Sequence, residues 1–217
     1  MVIEQISTTT GLEIIETVIK EYPFKPYYFL RQLKEKDISA LFVHQLAEAV
    51  SDKSNVFLAA KEKEDYVGFA WAERMSWDSS FFGFECYRME YLFADEGTES
   101  HPRGGNGKDW EIKKSLLEFA CHLCKEKNIR YLHAKADAQD QTSLRAYASF
   151  GFNLVSVMLP VIYYTQDKRP HLKQLGVVRP CQDKDLATLR KIARNSMRFD
   201  HFHSDPHFSK ETSDSVY

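Results

Sequence analysis

Four short constellations in this 217-residue chain hold residue types that can do chemistry. Residues 102–108 read PRGGNGK: Gly104, Gly105 and Gly107 leave the backbone open to an approaching phosphate, and Arg103 and Lys108 add positive charge, although a simple flexible loop explains the same residues. Residues 77–84, WDSSFFGF, combine the flat rings of Trp77, Phe81 and Phe82 with the Asp78 carboxylate and Gly83. That mixture can stack a base or sugar and hydrogen-bond a hydroxyl, or form a bulged β connection whose aromatics fill a seam between domains. His201, His203 and His207 stand beside Asp200 and Asp205, but H-x-H-x-x-x-H matches no helical pair of metal ligands, so a loop leading into the next helix is expected. Cys121 and Cys124 form a CxxC with no second pair to complete a zinc site, which reads as reduced structural thiols and no metal.

The elements that position these residues follow from periodicity. The first third reads helical: GLEIIETVIKEY, a proline-bounded PYYFLRQL, then DISALFVHQLAEAVSD with Asp37 as the N-cap candidate. NVFLAAKE, DYVGFAWAERM and CYRMEYLFADE are rich in Val, Phe, Tyr and Trp and predict an antiparallel meander that turns around Glu64 and Asp65. After the Gly-rich loop, a helix over 109–127 with Ile112, Leu116, Phe119 and Leu123 at helical spacing, the strand YLHAKADA, the helix QTSLRAYASFG and the strand NLVSVMLPVIYY form a β-α-β-α-β alternation. Gly151 sits at a helix C-cap position. In the strand at 131–138, Leu132, Ala134 and Ala136 take one face and His133, Lys135 and Asp137 the other. The expected fold is α/β (α+β): a mixed, mainly antiparallel sheet flanked by helices, holding the strands at 67–75 and 131–138, with the helix at 110–127 packed on it.

The polar TQDKRPHLKQLG reads as a linker that ends a first domain, 1–173, near Lys173. Residues 177–217 then open a second unit: VVRP as a short strand, KDLATLRKIARNSM as an amphipathic helix with Leu186, Leu189 and Ile192 inward, and SKETSDSVY as the start of another helix. About 40 residues seldom fold alone, so this tail should be covered by the first domain or by a second copy, which puts a homodimer among the expected partners.

Composition narrows the class. Hydrophobic residues are 43% and aromatics 13%, enough apolar side chain for a core without disulfides. A formal charge of −2, with Lys and Arg dispersed among Asp and Glu, argues against nucleic acid and anionic membrane as partners. The opening MVIEQISTTT lacks a basic and apolar leader pattern, and no apolar run approaches the ~20 residues that span a bilayer, so a cytoplasmic location is expected.

Residues 140–152, DQTSLRAYASFGF, resemble the helix-to-strand junction N-x-x-A/S-x-x-x-Y-x-x-x-G-F of the GNAT superfamily of N-acetyltransferases. Ser143, Tyr147, Gly151 and Phe152 match, and Asp140 replaces the Asn. The order of meander, loop, helix and strand before it is also the GNAT order. Residues 77–84 and 179–217 resemble pieces of the two-domain TDP-fucosamine acetyltransferase group, in which a GNAT-like N-terminal domain precedes a complete acetyl-CoA-binding one. The chain resembles the first wholly and only the opening of the second.

That resemblance implies acetyl-CoA as acyl donor, with its pyrophosphate on backbone N–H groups of Arg103, Gly104, Gly105 and Gly107, although Asn106 stands where the family loop Q/R-x-x-G-x-G/A has its first glycine. Tyr147 falls where a family tyrosine protonates the leaving thiolate, or else is a core tyrosine packed beside Phe150 and Phe152. Trp77, Asp78, Phe81 and Phe82 would form the substrate wall. The implied activity is transfer of an acetyl group to a small-molecule amine, an amino-sugar on a nucleotide carrier, by direct attack on the thioester. The alternative is a catalytically degenerate GNAT-like domain that scaffolds or binds substrate. A third class, a zinc adaptor on Cys121 and Cys124, requires bound metal.

Overall fold

Apolar alternation places five strands in one sheet in the order β1 (Val2–Gln5), β2 (Val56–Glu62), β3 (Asp65–Arg74), β4 (Glu85–Ala94) and β5 (Ile129–Ala134). Neighbours are antiparallel except β4 and β5, which run parallel and are joined by a helical crossover. The computed structural model describes residues 1–6, 10–11, 14, 22–94, 107–162, 176–196 and 200–216. It resolves two units, 1–153 and 154–217.

In the first unit, α1 (Glu35–Ser51), α2 (Ser76–Phe82), α3 (Lys108–Glu126) and α4 (Gln141–Ser149) flank the sheet. The period-two alternation of the strands builds two cores. On one face Leu58, Ala70, Met89 and Leu92 meet Ile112, Leu116 and Leu117 of α3 and Ala146 and Tyr147 of α4. On the other, Phe57, Phe69, Trp71 and Phe93 meet Phe42 and Leu46 of α1, with Ile14 and Tyr22. The approach of α3 is set by Gly68 on β3, where a Cβ would stand 2.4 Å from Ile112 Cγ2 and 3.1 Å from the Phe93 carbonyl oxygen. Past the end of α4, Gly151 at φ 83° supplies the left-handed turn that returns the chain.

The expected mixed, mainly antiparallel sheet and the helix on it are therefore present; the strand expected at 67–75 is β3, whereas of 131–138 only 131–134 belong to β5, which ends at Ala134 where β4 and β5 part. Several local expectations are corrected. PYYFLRQL forms successive turns, with Tyr27 at φ 64° interrupting any helix, and each turn closes a short bond such as Tyr28 N–H to the Lys25 carbonyl. Lys34, not Asp37, is the N-cap residue of α1, and Asp37 lies in its first turn. Residues 77–82 belong to α2, not to a bulged β connection. The stretch 153–162 forms no strand, and neither does VVRP at 177–180, because a strand exists only through a ladder and none of the described strands pairs with them. The linker at 165–176 and the boundary near Lys173 fall largely outside the described residues, as does most of GLEIIETVIKEY.

Among its described residues the second unit holds a 3-10 turn at Asp183–Asp185, closed by a Gln182–Asp185 capping box, and then α5 (Leu186–Ser196), α6 (His201–Ser204) and α7 (Lys210–Asp214). On α5, Leu186, Leu189 and Ile192 are exposed, not inward as the pattern suggested. The core of this unit is small: Phe202 is buried against Phe208, and the Ser213 hydroxyl donates to the Phe202 carbonyl at 3.0 Å.

Candidate functional site

The sheet opens where β4 and β5 part. Their parallel pairing runs from Glu85 with Ile129 to Met89 with Ala134, and the Lys135 N–H closes the last bond on the Met89 carbonyl at 3.0 Å. At the same point the β3 register jumps: Trp71 faces Tyr91 and Ala72 faces Met89, so Glu90 is the extra residue of a β-bulge. Beyond it, Tyr91 to Ala94 remain paired to β3 alone, and a wedge opens on the β5 side.

Both faces of the wedge are polar at its throat. On the α3/α4 face Tyr147 packs 5.2 Å from the Phe152 ring, is 5% exposed, and leaves its hydroxyl without a hydrogen-bond partner. Burial, reinforced by the Asp140 carboxylate, raises Tyr147 far above the ordinary phenol range, so it holds its proton. Below it lies a sealed network. Lys113 Nζ donates to Asp140 Oδ1 at 2.9 Å and Thr142 Oγ1 at 2.7 Å, the Ser143 N–H donates to Asp140 Oδ1 at 3.0 Å, and the Ser143 hydroxyl lies 2.6 Å from Asp140 Oδ2 and 3.2 Å from the Leu92 carbonyl oxygen. Asp140 thereby caps α4, anchors α3 through Lys113 and, through Ser143, holds α4 against the parted half of β4.

On the α1 face the throat carries a second charged group. By alternation Glu73, Arg88 and Glu90 share this face. Arg88 bonds both Glu73, at 2.6 Å, and Glu90, and Lys135 Nζ lies 3.5 Å from Glu90. The Glu90 side chain is 8% exposed and the Lys135 side chain 53%. Burial and the Arg88 charge lower Lys135 from the ordinary lysine value. The turn segment 22–30 walls this face. The Tyr28 hydroxyl donates to Asp137 Oδ2 at 2.7 Å, and Tyr22 meets Tyr91 and Phe93 edge-on at 5.8 and 5.3 Å. Burial first, with Asp140 and Tyr147 among the next contributors, raises the Tyr22 hydroxyl well beyond its usual range.

The residues singled out in the sequence do not all meet there. Tyr147 does. Arg103, Gly104 and Gly105 lie outside the described residues, while Gly107 is the extended N-cap of the 19-residue α3, with φ −87°, ψ 177° and no side-chain cap. A helix start without a side-chain cap is suited to an anion, although Asp109 and Glu111 in the first turn weaken its positive end. Trp77, Asp78, Phe81 and Phe82 precede the other end of β4, whose first residue Glu85 is five residues and roughly 17 Å of strand from the bulge. There Trp77 and Phe81 stack at 5.2 Å and 10° and are exposed, whereas Asp78 is buried. Beside them an open cavity of about 320 Å³ is lined by Ser79, Gly83, Phe84, Glu85, Lys127 and Arg130.

Cys121 and Cys124 lie on α3 with free, half-buried thiols, and burial pushes Cys124 up to about 11. In the second unit, His203 stands between Asp200, 2.9 Å from Nδ1, and Asp214, 3.2 Å from Nε2, and His207 pairs with Asp205. Among the described residues no three His, Cys, Asp or Glu side chains converge as metal ligands, and no helix is long and apolar enough to cross a membrane. Sequence reasoning missed Glu90, Lys113 and the Tyr22–Tyr28 wall. The one available signal was Lys113 itself, a charge beside the otherwise apolar stripe Ile112, Leu116, Leu117 and Ala120.

The sequence matches no family model and no curated protein. Solved structures do match. A ribosomal-protein-alanine N-acetyltransferase from Brucella melitensis biovar Abortus aligns at 12% identity and TM-score 0.51, over 75% of this chain and 98% of that one. An aminoglycoside acetyltransferase from an uncultured soil metagenomic sample, in complex with trehalose, aligns at 17% and 0.50, over 76% and 96%. A transcriptional regulator from Bacillus halodurans aligns at 17% and 0.50, over 75% and 99%. At these identities the likeness concerns the fold, which is GNAT-like, and function must be argued from the site.

Proposed function

We propose that this chain is an acyl-CoA-dependent N-acetyltransferase of the GNAT type, or its N-terminal portion in a tandem protein, acting in the cytoplasm on an amino-sugar carried by a nucleotide. One observation carries the reading: the parting of β4 and β5 at the Glu90 bulge, with a buried, partnerless Tyr147 hydroxyl on one side and the Glu90 carboxylate on the other. An acyl-CoA thioester fits what is present. The parted half of β4 offers backbone donors and acceptors to an extended amide-bearing chain, as a missing strand would. The Tyr147 hydroxyl is a donor without an acceptor, and Gly107 opens a long helix toward an anion. When bound, acetyl-CoA supplies an activated acyl group.

The chain's own groups supply the proton traffic. Tyr147, held protonated by burial, is a donor for a departing thiolate. The Glu90 carboxylate, held by Arg88 and Lys135, is the group placed to accept the proton of an incoming ammonium. The Tyr22–Tyr28 wall and Asp137 offer aromatic and anionic surface to an amine-bearing acceptor. The amino-sugar nucleotide is supported by the resemblance of 77–84 and 179–217, and by the flat exposed face of Trp77 and Phe81, on which a base can stack.

A second reading, a degenerate GNAT-like domain that binds substrate or scaffolds a catalytic partner, is favoured by the enclosure of Tyr147 and by Asn106 in the glycine loop. Calorimetry with acetyl-CoA separates the two, followed by mass spectrometry of amino-sugar nucleotides incubated with protein and donor. Binding and acetylated product are expected. Sugar-nucleotide binding with no heat from acetyl-CoA would overturn the enzyme reading in favour of the second.

A further inference from the structure

We propose that the end of β4 farthest from the wedge carries a second binding site, for a nucleoside phosphate, whose base lies on the Trp77–Phe81 stack and whose phosphate enters the basic cavity beside it. The stack is the first feature. Trp77 and Phe81 stand one helical turn apart on α2, with their rings 5.2 Å apart and 10° from parallel, and they are 57% and 39% exposed. Two large rings held parallel at that exposure present a flat π-face to solvent, the surface on which a planar base stacks. The row of rings continues inward: Phe81 meets Phe82 edge-on at 5.0 Å, Phe82 stacks on Phe84 at 5.7 Å, and the Arg130 guanidinium lies over Phe84, 4.8 Å from its centroid. The exposed aromatic face therefore leads to a cation at the cavity.

That cavity, of about 320 Å³, is the second feature, and its charge says what fills it. Of its charged side chains Glu85 is already occupied, because Arg74 donates to both of its carboxylate oxygens at 2.7 Å. Lys127 and Arg130 have no ion-pair partner among the described residues. With its guanidinium over the Phe84 ring, Arg130 keeps N–H donors for an anion. Asn128, at φ 53°, makes the left-handed turn from α3 into β5 that sets both cations along one rim. The C-terminal end of α3 opposes an anion with about half a charge, and two full side-chain charges outweigh it. A neutral sugar leaves these cations unanswered and a bare phosphate leaves the rings unused, whereas a nucleoside phosphate engages both. Roughly 17 Å of strand separates this end of β4 from the bulge, so the site stands apart from the wedge and holds whether or not the wedge transfers acetyl groups. Free nucleotides and the carrier half of a sugar nucleotide share this chemistry.

The test titrates the full chain with UDP and ADP, followed by tryptophan fluorescence and calorimetry. Both should bind saturably and quench the emission, while uridine or inorganic phosphate alone should bind about 10-fold more weakly or worse. Trp77→Ala, and separately Lys127→Gln combined with Arg130→Gln, should each weaken UDP by about 10-fold or more. All three side chains are exposed, so circular dichroism and melting should be retained. UDP-glucose identifies the source: affinity no greater than that of UDP assigns the site to a free nucleotide, and tighter binding assigns it to the carrier half of a sugar nucleotide. UDP binding without acetylated product would leave this site standing while counting against the acyl-transfer reading. No binding of either nucleotide, equally tight binding of inorganic phosphate or glucose 1-phosphate, or affinity unchanged in both variants would each overturn the proposal.

Discussion

Two charged networks flank the wedge between β4 and β5, and they are built to opposite ends. On the α3/α4 face Lys113 and Asp140 have side chains only 4% exposed, and they bond each other, the Thr142 hydroxyl and the Ser143 N–H at the start of α4. On the α1 face the Glu73–Arg88–Glu90–Lys135 group grades from the 8% exposed Glu90 to the 53% exposed Lys135. The first has no capacity left for a ligand and locks the framework. The second holds a nearly buried carboxylate between cations whose outer member reaches water, so it can trade a partner with a charged substrate. A sealed pair makes a site rigid, and an open one makes it responsive.

The largest effect is expected from Lys113→Met. With Asp140 left buried and uncompensated, unfolding free energy should fall by about 3–5 kcal/mol in denaturant titration. Lys113→Met combined with Asp140→Asn should recover most of that loss. A single-variant cost below ~1 kcal/mol would mean that the network is not sealed. Tyr147→Phe comes next. Its hydroxyl satisfies no acceptor, so stability should stay within ~1 kcal/mol of the parent, while acetyl transfer falls by about 100-fold or more if the hydroxyl is the acid. Unchanged kcat would leave Tyr147 as a packing residue.

On the open side, Glu90→Gln should lower kcat/KM by roughly 100-fold with the melting temperature nearly unchanged, and pH–rate profiles should lose their acidic limb. A large melting shift with normal kinetics would make the open network structural too. The smallest effect belongs to the wall. Burial and the bond to Asp137 push the Tyr28 hydroxyl up to about 12 from its ordinary 10.0. Because the folded value is the higher one, the contribution is present below pH 10 and is lost as pH rises from there to about 12. Stability curves for Tyr28→Phe should therefore lie flatter than the parent in that window and differ least in slope near neutrality.

Much of this was legible before any coordinates. Ile112, Leu116, Phe119 and Leu123 recur at helical spacing and do pack into the core on the sheet, and the Val- and Phe-rich runs are β2, β3 and β4. What escaped had non-local causes. PYYFLRQL carries an apolar helix-like pattern, yet Tyr27 adopts φ 64°, in a segment where Tyr22 and Tyr28 reach across to Tyr91 and Asp137. The Val-rich 153–162 has strand propensity but no ladder within the described sheet. Of the site, the junction pattern pointed to Tyr147, but the aromatic segment 77–84 belongs to the opposite end of β4, because strand direction separates what residue type alone would group.

Local periodicity and spacing thus determined by themselves the order of the elements, the apolar faces that α3 and β2 to β4 bury, the left-handed turn at Gly151, and Tyr147 as a residue to watch. Only the tertiary structure decided that Glu90 is a bulge residue, because a bulge is a mismatch in register between two strands and neither strand carries it alone. Only it paired Lys113 with Asp140 across 27 positions, and left the Tyr147 hydroxyl buried without an acceptor. Burial and pairing depend on what folds back onto a residue, and that is a property of the assembled chain and not of any segment of it.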